Sequence, residues 1–119
     1  MRNEVVGAIR ALADPGYQEA VWIRREFPYS GYYDDFSLNI HILYDDSSVC
    51  EDPFGSIGTY LESKLEAEAV SRLADALNAL LAAEGEDRSD SEYLSSPHWQ
   101  AVVDAASAAY EILTLDPTV

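Results

Sequence analysis

Basic side chains are scarce in this chain. Seven lysines and arginines stand against 22 aspartates and glutamates in 119 residues, a formal net charge of −15. Nucleic acids and anionic membranes are held through clustered Lys and Arg, so the composition argues against both partner classes. Cysteine is nearly absent: Cys50 stands alone and cannot close an internal disulfide, which fits a reducing compartment. The N-terminus lacks the charged-then-apolar pattern of a secretory signal, and a cytoplasmic home is expected. No apolar run approaches the ~20 residues of a spanning helix. Gly55-Ser56-Ile57-Gly58 lacks the Lys-Ser/Thr ending of a phosphate loop, and serine-hydrolase and zincin signatures, internal repeats and low-complexity segments are missing as well.

What is present is ordinary in amount. An apolar content of 48% in a chain of this length predicts one domain, residues 1–119, with the acid spread over its folded surface. From Phe36 to Tyr44, Phe36, Leu38, Ile40, Ile42 and Tyr44 alternate with Ser37, Asn39, His41 and Leu43, the period of a half-buried strand. A brief second strand at Val49-Cys50 would close a hairpin. The longest helix is read from Thr59, with Thr59 and Glu62 as a capping box, Leu61, Leu65, Ala69, Leu73, Leu77 and Leu80 as its apolar stripe, and Gly85 as its stop.

Upstream, Val5, Ile9 and Leu12 mark an amphipathic helix over Glu4 to Ala13, and Asp14-Pro15 ends it and can open another. Residues 21–27 fit a helix face or a buried strand; the reading adopted is a short helix turning extended near Trp22. Pro28 to Asp35 is a loop, and Gly85 to Ser96 is an acidic connection with one helical turn anchored by Tyr93-Leu94. Ser96-Pro97 starts a last helix through Trp99, Val102, Val103, Ala106, Tyr110 and Leu113, and Asp116-Pro117 ends the order. The expected fold class is therefore α+β: a small antiparallel sheet packed against amphipathic helices, with a C-terminal antiparallel helix pair. An apolar surface on the last helix would serve a homodimer as readily as the core.

Two places carry possible chemistry. Asp34, Asp35, Asn39, His41, Asp45, Asp46 and Asp52 gather on or beside the Phe36 strand. Imidazole and carboxylates of this kind ligate divalent metals, and a His beside an Asp can act as a general base. No diagnostic spacing accompanies them, and a solvated sheet face with acidic turns accounts for the same residues. No cofactor is expected. Cys50, flanked by Glu51 and Asp52, has its thiolate disfavoured and reads as a small packed side chain. The second place is the aromatic and arginine group Tyr17, Trp22, Arg24, Arg25, Tyr29, Tyr32 and Tyr33, residue types enriched at binding hot spots. Exposed, it is a partner surface; folded back, it is core and lid.

Ala13-Asp14-Pro15 with Tyr17-Gln18, then Trp22, Leu38 to Asp46 and Asp52-Pro53, resembles a family of small acidic actinobacterial proteins of uncharacterised function, over roughly residues 13 to 62. In size and composition the chain is also similar to bacterial toxin immunity proteins. The resemblance implies no catalytic residue. The function expected is non-enzymatic binding of a basic protein partner through Trp22, Arg24, Arg25, Tyr29, Tyr32 and Tyr33. The alternatives are a metal-dependent enzyme using His41 with Asp34, Asp35, Asp45 or Asp46, and a nucleic-acid mimic.

Overall fold

A computed structural model of the chain describes residues 1–115; the stop read at Asp116-Pro117 lies outside them. Helix α1 (Arg2–Ala13) buries Val5, Ala8, Ile9, Ala11 and Leu12, the stripe its sequence carries. Asp14 then caps the next turn by accepting from the Tyr17 amide, with Pro15 at the first helical position, where a missing N–H costs nothing. This α2 (Pro15–Tyr17) runs on as a π-helical segment, Gln18–Ile23. Gln18, fully buried, holds the bend: its Nε2 donates to the carbonyls of Ala11 and Leu12 at the end of α1, and its Oε1 accepts from the Trp99 indole. The expected change to extended chain near Trp22 does not occur. Helical winding continues to Ile23 and breaks only at Arg25, which sits at φ 58.

The expected antiparallel sheet is overturned. Among the described residues there is no strand, only an isolated bridge between Ile57 and Leu61, and the fold is all-helical rather than α+β. Phe36 to Asp46 is a helix, α3 (Phe36–His41), continued by a second π-helical segment, Ile42–Asp46. The physical reason lies in Asn39. Counted as polar, it completes a period of two; counted as inward, it joins Phe36, Ile40 and Leu43 at i, i+3, i+4 and i+7. It is inward, 3% exposed, because its Nδ2 donates to the Asp34 carboxylate and the Asp35 carbonyl. Leu38, placed inside by the alternation, is 40% exposed. Asp35 caps the helix by accepting from the Leu38 amide at 2.7 Å. Val49-Cys50 is not a strand either: both side chains are buried in a turn, where the Cys50 amide donates to the Leu43 carbonyl.

Helix α4 (Lys64–Glu84) starts later than the Thr59 reading, at Ser63, whose hydroxyl accepts from the Glu66 amide. The preceding chain is instead wound around Ser56, whose carbonyl accepts from the amides of Thr59, Tyr60 and Leu61. Of the expected stripe, Ala69, Leu73, Leu77 and Leu80 are buried in the helix and Leu61 ahead of it, while Leu65 is 63% exposed and Glu66 is buried in its place. Gly85 stops α4 at φ 85, a conformation that needs a residue without a Cβ. In the acidic connection, α5 (Asp90–Leu94) is opened by a Ser89/Glu92 capping box, and Tyr93 is its buried anchor.

Helix α6 (Trp99–Leu113) packs against both α1 and α4. Its direction follows from the bonds at its two ends. Arg2, at the start of α1, reaches Glu66 in the first turn of α4 and the carbonyl of Leu113 at the end of α6. At the other end Ser96, just before α6, donates to Glu84 at the close of α4, and Gln18, just after α1, meets Trp99. The last helix therefore runs antiparallel to both neighbours. No helix is long and apolar enough to cross a membrane among the described residues.

Candidate functional site

Asp34 is the most unusual residue of the molecule, a carboxylate 9% exposed with no cationic partner among the described residues. Neutral donors surround it. The Tyr17 hydroxyl (2.7 Å) and Trp22 indole (2.9 Å) donate to Oδ2, and the Asn39 amide (2.9 Å) donates to Oδ1. Because Tyr17 spends its proton on Asp34, its oxygen accepts from the Tyr32 hydroxyl at 2.5 Å. Burial first, then the bonds to Tyr32 and Asp34, holds the Tyr17 phenol far above its ordinary range, so it remains a donor. Asp34 stands in the wall of a cavity of about 440 Å³ between α1, the Tyr32–Asp34 loop and α3, shared with Tyr17, Tyr32, Tyr33 and Asn39.

A second, larger cleft of about 720 Å³ opens between α3, the end of α4 and α5. Of its aromatic lining, Tyr44 is half-buried, while Phe36 and Tyr93 are core side chains, 3% and 2% exposed. Asp45, Glu51, Glu86, Asp87 and Asp90 line it against a single arginine, Arg88, which is paired with Glu92 at 2.8 Å. Burial lifts the Asp90 carboxyl above the ordinary carboxylate range; the Phe36 amide and Arg25 lower it, while Asp35 and Asp34 raise it further. The Phe36 amide donates to the Asp90 carboxylate at 3.3 Å, which sets Asp90 beside the start of α3. The Tyr33 hydroxyl donates to Asp35 at 2.5 Å, and the Arg25 guanidinium lies 5.7 Å from the Tyr33 ring centroid.

The residues singled out from sequence are divided by the fold. Trp22 is core, in edge contact with Tyr17, Phe36 and Trp99. Tyr32 is half-buried, and Tyr29 and Tyr33 are 66% and 50% exposed together with Arg24 and Arg25. The aromatic group is therefore core at one end and surface at the other. Of the metal candidates, His41 and Asp45 meet, Nδ1 to Oδ2 at 2.5 Å, as exposed helix neighbours four residues apart. Asp35 is occupied as the α3 cap, Asp46 is exposed, and Asp34 faces the other cavity. Among the described residues no three His, Cys, Asp or Glu side chains converge as a metal site. Sequence reading missed Gly7, Arg10 and Asp14 on the first cavity and Glu86 to Asp90 on the second. Only the Ser89/Glu92 box gave a local signal, since it starts the helix that brings Asp90 inward.

Cys50 is 5% exposed, and burial, rather than the neighbouring carboxylates, pushes its thiol up to about 12 from the ordinary 9.0. A folded value above the unfolded one contributes stability that is whole below pH 9.0 and is lost as pH rises toward 12. Burial raises the Tyr44 phenol in the same direction. Urea midpoints are therefore expected to fall between about pH 8 and about pH 11. Equal midpoints would contradict the burial of both groups.

Neither a curated protein nor a solved structure matches the chain. A family model matches residues 1–118. The chain therefore belongs to the family described as a domain of unknown function, DUF7945.

Proposed function

We propose that the chain is a non-enzymatic binding module for a basic segment of a protein partner, acting in the cytoplasm. The acidic cleft between α3, α4 and α5 carries this reading. Its carboxylates Asp45, Glu51, Glu86, Asp87 and Asp90 outnumber Arg88, and they share the lining with the half-buried apolar side chains of Ile40, Tyr44 and Leu81. Lysine and arginine stems pack on apolar surface while their heads face carboxylate, so the cleft is complementary to both parts of a basic side chain. The formal charge of −15 adds a long-range field that steers such a partner toward it. The exposed side chains Tyr29, Tyr33, Arg24 and Arg25 supply further contacts outside the cleft. An immunity-like inhibitor of a basic toxin is the sharpest form of this proposal.

The test is an affinity capture of partners from the host lysate at low and at moderate salt, with the retained proteins identified by mass spectrometry. One stoichiometric basic partner, released as salt shortens the reach of the field, is the expected result. Glu86→Lys with Asp87→Lys, both exposed positions, is expected to weaken that partner at least about tenfold. A partner retained equally by the charge-reversed protein would overturn the assignment to this cleft. Failure to retain any partner at either salt would remove the inhibitor reading.

A further inference from the structure

The cavity beside Asp34 is separate from the acidic cleft, and we infer that it binds an alkylammonium group. Three observations converge there. The Asp34 carboxylate is buried and held only by the neutral donors Tyr17, Trp22 and Asn39, so its charge is left unneutralised by the protein. A cation in the cavity would supply what the fold withholds. Tyr17, Tyr32 and Tyr33 line the same space, and tyrosine rings beside a carboxylate are the arrangement that holds ammonium groups, through the ring quadrupole. Ala8, Ala11 and Ile42 add apolar wall for the alkyl part. Arg10 also lines the cavity, but Glu4, Asp14 and Asp34 keep the balance of charge negative.

The third observation is Gly7. It lies inside α1 and on the cavity wall, where glycine is the poorest helix former after proline. Packing does not demand it: a Cβ built there meets nothing within 4 Å. Gly7 is exposed on that wall, so glycine leaves the backbone free for close approach by a ligand. At about 440 Å³ the cavity is within the size range of small-ligand sites.

The ammonium group could arrive on a small amine or on a lysine side chain of a partner, and the probes separate these sources. The full chain is titrated at constant ionic strength, following the emission of Trp22 and Trp99, with choline, with its uncharged isostere dimethylbutanol, and with Nα-acetyl-lysine amide, whose side-chain ammonium is free. Saturable binding of choline, with the isostere about tenfold or more weaker, is expected for a free amine. Saturation by acetyl-lysine amide alone assigns the group to a protein side chain. Gly7→Leu is expected to abolish binding while raising the melting temperature, because leucine adds bulk at the cavity wall and favours the helix. Tyr32→Leu, which removes one ring, is expected to weaken the cation more than the isostere. The inference is overturned if neither cation saturates the wild type, if the isostere binds as well as choline, or if Gly7→Leu binds the cation like the wild type.

Discussion

Replacing Arg2 with alanine will lower the free energy of unfolding by about 2–4 kcal/mol, under the range of about 3–5 kcal/mol for breaking a fully buried ion pair, because the Arg2 side chain is 27% exposed. The guanidinium makes a bidentate pair with Glu66, at 2.9 and 3.0 Å, and also donates to the carbonyls of Tyr60 and Leu113. One side chain thus closes the end of the molecule where α1 and α4 begin and α6 finishes. Its loss leaves the Glu66 carboxylate, 8% exposed, inside the fold without its cation. Glu66 then keeps only its bond from the Glu62 amide. Arg2→Lys should recover part of the loss, because an ammonium restores charge but cannot span both oxygens and two carbonyls. Urea unfolding of the three proteins reads the effect. A change below about 1 kcal/mol for Arg2→Ala, the value of an exposed surface pair, would show that the clamp is not structural.

Asp34→Ala is expected to be at least as damaging. It removes the acceptor for the Tyr17 hydroxyl, the Trp22 indole and the Asn39 amide together. Each buried donor left unmet costs about 1–3 kcal/mol, so the sum approaches the 5–15 kcal/mol that holds a typical domain folded. The variant should therefore be largely unfolded or melt far lower, with Trp22 emission shifted to the red as the indole meets water. Asp34→Asn should fall between, since one of its two heavy atoms still accepts. Native-like melting of Asp34→Ala would mean that the donors find other partners, and that Asp34 is not the node of this part of the core.

These two residues also mark the limit of what could be read along the chain. Elements whose apolar period and caps agree were legible. The α1 stripe, the Asp14-Pro15 junction, the stop at Gly85 and the Tyr93 anchor are determined by local residues, and each occurs as read. The α3 segment was not legible, because Leu38-Asn39-Ile40 satisfies a period of two unless Asn39 is known to point inward. That depends on Asp34, five residues earlier in sequence but joined to Asn39 only through the buried node. The start of α4 was misplaced for a similar reason. Thr59 and Glu62 have capping chemistry, yet the helix begins at Ser63, with the Glu66 carboxylate engaged by Arg2 from the far end of the sequence.

The candidate sites divide in the same way. The excess of acid, the lone cysteine and the tyrosine-rich loop are properties of composition, and the sequence by itself determined them. Which acids face one another was decided by tertiary structure alone. Asp34 and Asp35 are adjacent in sequence, yet one is buried on the small cavity and the other caps α3. The physical reason is that an isolated carboxylate prefers water. Only a fold that supplies several donors at once can hold one inside, and those donors come from positions 17, 22 and 39, brought together by packing rather than by local preference.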